Sequence, residues 1–242
     1  ESEGEEKKAI SEYERAKDNI EIKEIIDNVF VADMLHRLAN LYLKNNDLEN
    51  AAHVFQKILD DKLTNKPVTI YYKLGQIYFE GKRFKDSINE FLRVREINPH
   101  SESISLYLSV CYEELNEYDK AIAELTPLLD EHSEAWHIRL SLSNIYEKTK
   151  NFELTQLERE KVSEILMKNV RNGSTDIREY IVLSQLLHQT GRKTEAIDNL
   201  KTGLTYLHNK IDAESLQEIQ FLMANLYYEM DNHEGSIQEL GK

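Results

Sequence analysis

Residues 71–99 read YYKLGQIYFEGKRFKDSINEFLRVREINP, and this stretch decides the fold. Tyr71, Leu74, Gly75 and Tyr78 fall at helical spacing. One helix face therefore carries two rings, a large aliphatic side chain and a position small enough for a neighbouring helix to approach closely. Lys82-Arg83 is a polar break, and Phe84, Ser87, Phe91 and Val94 then form a second apolar stripe that Pro99 terminates. The stretch is two amphipathic helices joined by a tight turn.

Versions of it recur before and after. Leu38-Ala39-x2-Tyr42, Leu74-Gly75-x2-Tyr78, Leu108-Ser109-x2-Tyr112, Leu142-Ser143-x2-Tyr146, Leu183-Ser184-x2-Leu187 and Met223-Ala224-x2-Tyr227 place a large apolar residue, a small one and usually a Tyr at the same offsets. The second helices repeat a small-x3-large pair: Ala51/Phe55, Ser87/Phe91, Ala121/Leu125, Ala196/Leu200 and Ser236/Leu240. Polar breaks at Asn46-Asp47, Lys82-Arg83, Glu117, Asn151 and Gly191-Arg192 separate the two helices. A period of this length means stacked helix pairs, each burying its core against its neighbours, rather than one globular enzyme core.

In these residues the chain resembles the tetratricopeptide repeat family, whose pattern is W-x2-L-G-x2-Y followed by A-x3-F, A and P. The resemblance covers residues 32–242, and Tyr71–Pro99 fits it best. It implies an all-α fold: a right-handed superhelical solenoid of antiparallel helix pairs, with the first helix of each pair lining a concave groove and the second forming the convex side. The expected repeats are 32–66, 67–100, 101–134, 135–175, 176–212 and 213–242, the last truncated, within an array spanning 31–242. Residues 1–30 are expected to supply a helix that caps the array or remains from an upstream repeat.

The departures from regularity are specific. Equivalent apolar positions are 36, 34, 34, 41 and 40 residues apart. The two long intervals predict extended second helices over 152–170 and 193–209. In the fourth repeat Thr155 and Arg159 stand where a small and a large apolar residue belong. Either that helix slips register onto Leu154, Leu157, Val162, Ile165 and Leu166, or a polar pocket opens; slippage is the expectation.

Motifs of catalysis are absent. The eight His residues show neither His-x3-His nor His-Glu-x2-His spacing, and there is no phosphate loop or nucleophile elbow. The single cysteine, Cys111, sits on an apolar face and reads as a buried structural thiol. No catalytic residue, metal site or cofactor is expected. A net charge of −14 without a dense Lys/Arg run argues against nucleic acid, and no apolar stretch reaches the roughly 20 residues a bilayer span needs. The cysteine count fits the cytoplasm slightly better than a signal-stripped periplasmic form.

Function is then expected on the groove. The residue after each small position is Asn40, Gln76, Val110, Asn144, Gln185 or Asn225, five of them carboxamides able to donate and accept along an extended peptide; the alternative is that they bond neighbouring helices. Tyr72 with Phe79 and Phe221 with Tyr228 are two candidate aromatic patches. Partner-binding candidates are thus Asn40, Tyr72, Gln76, Phe79, Asn144, Gln185, Phe221, Asn225 and Tyr228. Glu80, Glu113, Glu114 and Glu147 make the middle acidic and suit a protein or peptide with central Lys or Arg, while His36, Arg37, Lys44 and Lys73 make the first end more basic. The clamp that some family members use on acidic chaperone tails is matched only at Asn40, so that ligand is not expected. The expected role is a non-enzymatic adaptor. The alternatives are a self-assembly module forming homo-oligomers through uncovered ends and a regulatory segment of a larger enzyme.

Overall fold

The computed structural model describes Lys8, Ile10, Ser11, Arg15 and residues 28–207 and 210–241. The rest of the helix expected over residues 1–30 lies outside the described residues up to position 28. Among the described residues the protein is all-α, with twelve helices and no strand. Two compact units divide between Thr126 and Pro127. The first holds α1 (Asn28–Lys44), α2 (Leu48–Asp60), α3 (Pro67–Glu80), α4 (Phe84–Ile97) and α5 (Glu102–Glu114). α6 (Tyr118–Glu131) carries Pro127 in its interior, where the units divide. The second holds α7 (Trp136–Lys148), α8 (Phe152–Arg171), α9 (Ile177–Gln189), α10 (Lys193–Tyr206), α11 (Ala213–Glu229) and α12 (His233–Leu240).

Every first helix ends in the same way. Asn46, Lys82, Asn116, Lys150, Gly191 and Asp231 all take positive φ, between 57° and 78°. The N–H of the following residue reaches back to the carbonyl of Tyr42, Tyr78, Tyr112, Tyr146, Leu187 or Tyr227 at 2.7–2.9 Å, and the positive-φ residue's own N–H bonds one carbonyl further on. This is the Schellman arrangement, which satisfies the orphan carbonyls of a helix end. The polar breaks of the sequence are these turns. Next comes the cap of the second helix: Asp47 accepts from the Asn50 N–H, Asn151 from Leu154 and Asn232 from Gly235. A left-handed conformation strains any residue with a Cβ. Lys82→Gly and Lys150→Gly are therefore each expected to raise stability by up to about 1 kcal/mol, read as a higher midpoint in urea; a lower midpoint would show that the lysine stems contribute more than the strain costs.

In the first unit α1 packs on α2, α2 on α3, α3 on α4 and α4 on α5. One core joins Leu35, Leu38, Phe55, Ile58, Ile70 and Leu74, and another joins Ile88, Phe91, Val94, Ile104, Leu108 and Cys111. The small positions do what the pattern requires. A Cβ at Gly75 would lie 2.6 Å from Cε1 of the fully buried Phe91. The carbonyl freed for approach accepts from Ser87 Oγ at 2.8 Å, and Cys111 Sγ lies 3.5 Å from that hydroxyl. Burial pushes the Cys111 thiol up, as befits a structural cysteine.

In the second unit the core comprises Val162 and Leu166 on α8, Ile181, Leu183 and Leu187 on α9, Ile197 and Leu200 on α10, and Ile219, Met223 and Leu226 on α11. Asn199 donates to the Tyr180 carbonyl at 2.7 Å and to Ser184 Oγ at 2.8 Å, while Ser184 donates to the Ala196 carbonyl.

Two expectations about this unit need correction. α8 is long, 20 residues, as its spacing indicates, but α10 has only 14 and stops at Tyr206. The extra residues of that repeat go instead into the connection after Tyr206 and an early start of α11, which has 17 residues. Asp212 fixes that start, accepting from the N–H and hydroxyl of Ser215. α8 has not slipped register either. Thr155, Glu158, Val162 and Leu166 are its buried residues, and Leu157 is 43% exposed. The Thr155 hydroxyl is satisfied by the Asn151 carbonyl at 2.9 Å, so a polar side chain keeps the small slot. Glu158 is held by Arg139 at 2.7 Å and Lys161 at 2.8 Å, and Arg159 turns to Glu147 at 2.7 Å.

Glu158 marks a recurring position. Three residues after the small residue of the second helices stand Glu90, Glu124, Glu158, Asn199 and Glu239, with Val54 in the first pair as the exception. Four of them are buried, and Glu124, only 12% exposed in its side chain, accepts both ends of its carboxylate from Arg95.

Candidate functional site

The outward face of the first helices is built by a simple phase relation. The small residues Ala39, Gly75, Ser109, Ser143, Ser184 and Ala224 are all buried against the neighbouring helix, so the next residue turns away from it. Asn40, Val110, Asn144 and Asn225 are exposed and Gln76 and Gln185 half-buried. The two glutamines, longer by a methylene, reach across to the next first helix. Gln76 Nε2 donates to the Tyr107 hydroxyl at 3.0 Å, and Gln185 Nε2 donates to Glu218 at 3.2 Å. At these two positions the carboxamide bonds a neighbouring helix.

In the first unit Tyr72 and Phe79, seven residues apart on α3, meet at Tyr107 of α5. The Tyr107 ring lies edge-on to Tyr72 at 6.2 Å and to Phe79 at 5.3 Å, and stacks on Phe91 at 4.7 Å with an interplanar angle of 18°. Offset stacks and edge contacts of this kind hold rings in place beyond their area burial. Phe91 is in turn clamped over Gly75, so the chain of rings runs from the core to the surface. Burial and then Tyr107 push the Tyr72 phenol up.

The result is a hollow of about 350 Å³ lined by Tyr72, Phe79, Ser103, Leu106, Tyr107 and Val110. A second hollow, of about 530 Å³, adjoins it across Tyr72 and Ser103, with Val68, Lys73, Asn98 and Ser101 in its wall. The Lys73 ammonium sits 5.5 Å over the Phe55 ring. Burial and then Lys73 hold His36 below the usual histidine range, against the pull of Asp33. Asn40 stands apart from these hollows, on α1.

In the second unit Phe221 and Tyr228 of α11 are 62% and 63% exposed, so this patch is open. Tyr228 lies 5.4 Å from the His233 ring. Ile181, one turn before Gln185, is only 4% exposed and belongs to the core. Glu147 is paired with Arg159, which removes it from the acidic middle expected of the groove.

The residue that sequence reading missed is Tyr107. It occupies the repeat position of Arg37 and Lys73, and a charged residue in two earlier copies hid its role. An aromatic in that slot, one turn from Val110, was the available signal. Among the described residues no group of three His, Cys, Asp or Glu side chains could hold a metal ion, and no helix is long and apolar enough to cross a membrane.

Comparison with known proteins agrees with the architecture. Residues 36–102 match the family described as tetratricopeptide repeat. Anaphase-promoting complex subunit 3 of Dictyostelium discoideum is 34% identical over 59 residues, 24% of this chain. The match spans only 6% of that protein's length. Among solved structures, a tetratricopeptide repeat protein from Parabacteroides merdae covers 96% of this chain and 84% of its own at 15% identity, with a TM-score of 0.64. PilW, a type IV pilus biogenesis factor, covers 86% and 90% at 16% identity, with a TM-score of 0.58. At such identities the two structures establish the fold alone.

Proposed function

We propose that this chain, a tetratricopeptide repeat protein, is a non-enzymatic scaffold that holds a partner polypeptide on the outward face of its first helices. The observation that carries this reading is the aromatic hollow of the first unit. Its rings are locked from behind by Phe91, so binding needs little rearrangement, and an apolar concavity with a polar edge suits a side-chain anchor. That anaphase-promoting complex subunit 3, similar over 24% of this chain, is named as a subunit of a complex supports a role in assembly. Glu80 and Glu114, exposed at the ends of α3 and α5, suit Lys or Arg on the partner beside its anchor. Asn40 in the first unit, and Asn144, Phe221, Asn225 and Tyr228 in the second, are exposed residues of the same kind within their own units.

A photo-reactive phenylalanine at Val110, compared with one at the exposed His53 of α2, tests the reading. The partner is expected to crosslink from Val110 and not from His53, and Val110→Asp is expected to weaken its capture at least tenfold with the thermal midpoint unchanged. Equal crosslinking from both positions, or capture indifferent to Val110→Asp, would overturn it.

A further inference from the structure

The two adjoining hollows of the first unit differ in character, and the difference points to the chemistry of what they take. The inner one is walled by Phe79, Leu106, Tyr107 and Val110 and offers an apolar side chain a site among rings. The outer one carries Lys73 with Asn98 and Ser101. Of all the residues lining the two hollows, Lys73 alone is charged. In a chain of net charge −14 this is a local reversal of sign. Among the described residues the ammonium forms no ion pair and lies over the face of Phe55. His36 is held below the usual histidine range by burial and then by Lys73.

Tyr72 stands between the hollows and lines both. Two side chains that straddle one ring must lie on the same side of the ligand backbone. In an extended segment those are residues i and i+2, about 6.6 Å apart, which is the width of a ring with its van der Waals margin.

Resting on the scaffold reading above, we propose that this site takes an extended internal segment of another protein in which a large apolar side chain fills the inner hollow and an Asp or Glu side chain two residues away faces Lys73. A carboxylate entering the outer hollow meets an ammonium, an amide and hydroxyls, and no carboxylate among the lining residues. A lysine or arginine there meets like charge at Lys73. The sign at this end of the site is thus opposite to that favoured by Glu80 and Glu114 at the other, and the pair of signs fixes the direction in which the segment lies.

Selection from a displayed library of random seven-residue peptides with both ends joined to the carrier tests this on the purified chain. The expected enrichment is a large apolar residue with Asp or Glu two positions away. Synthetic peptides of the selected sequence, with amidated ends, are expected to lose affinity at least tenfold on Lys73→Glu and several-fold on Lys73→Met, and peptides with Lys in the acidic position are expected to gain from Lys73→Glu. Val110→Asp should abolish binding. Enrichment without an acidic position, unchanged affinity on Lys73→Glu, or binding only by peptides with a free terminal carboxylate would each overturn the proposal. A library that yields no binder also overturns it, while crosslinking of a partner from Val110 would leave the scaffold reading standing. Failure of both would remove the two together. The circular dichroism midpoint of Lys73→Met, which keeps the aliphatic stem, separates loss of charge from loss of fold.

Discussion

Phe91→Ala is expected to destabilise the first unit by about 3–5 kcal/mol, the usual cost of emptying a fully buried phenylalanine site. The upper half of that range is the better expectation because the site cannot collapse. On one side lies Gly75, whose missing side chain is what lets the ring approach to within 2.6 Å of where a Cβ would be. On the other lies the stacked Tyr107 at 4.7 Å. Removing the ring opens a void between a backbone and another ring, neither of which can move in to fill it. The loss should be local, because stacked helix pairs stabilise one another through nearest neighbours. Amide exchange is expected to speed up across α3, α4 and α5 and to stay near wild type in α9–α11. The coupled experiment is sharper. Gly75→Ala alone should cost about 1–3 kcal/mol by overpacking, and far less when introduced beside Phe91→Leu. Additive losses in that cycle would mean that the ring and the glycine do not constrain each other.

Arg139→Met is expected to have the next largest effect, approaching the roughly 3–5 kcal/mol seen when one partner of a buried ion pair is removed. Glu158 is 8% exposed and would keep only Lys161, while the Ser133 carbonyl, which accepts from Arg139 at 3.0 and 2.9 Å, would lose both donors. Burial pushes the Glu158 carboxyl up, but the hydrogen bonds from Lys161 and Arg139 outweigh it and hold the group below the usual carboxylate range. A carboxyl depressed on folding contributes stability that is full above its unfolded value and is lost as the pH falls through the folded one. In the variant only Lys161 opposes the upward push of burial, so the depression shrinks. The stability gap between wild type and Arg139→Met should therefore be widest near neutral pH and narrow below about pH 4. Urea midpoints at several pH values measure it, and a gap independent of pH would refute the assignment. Arg139→Met with Glu158→Leu should recover most of the loss.

The helix pairs were legible because their signal is redundant. Six small residues at one offset all prove buried, and the positions one further on all reach the surface. What escaped were features carried by single residues. A spacing of 40 residues reports that a repeat is longer without reporting where. The cap at Asp212 and Ser215 decided that, and it lies in a stretch with no apolar periodicity. The expectation that α8 would slip assumed that Thr155 and Arg159 could not stand where apolar residues belong. It failed because each finds a partner, Thr155 the Asn151 carbonyl one turn back and Arg159 the Glu147 carboxylate on the neighbouring helix. The left-handed turns were legible only in part, since Gly191, Asn46 and Asn116 carry residue types that favour one whereas Lys82 and Lys150 do not. In the candidate site, Tyr72 and Phe79 could be picked out from α3 alone, whereas Tyr107 acquires its place only when α5 is laid beside it.

The recurring polar position of the second helices has a consequence for how far the repeats are copies of one another. Glu124 takes its cation from the preceding second helix, Glu158 from its own first helix, and Asn199 uses a backbone carbonyl and a serine instead. Each lock has a different key. Repeats of this chain are thus not interchangeable parts: transposing two of them, with every apolar match preserved, would strand a buried carboxylate beside the wrong neighbour. The order of the repeats is written into their interior and not only into the surface they present.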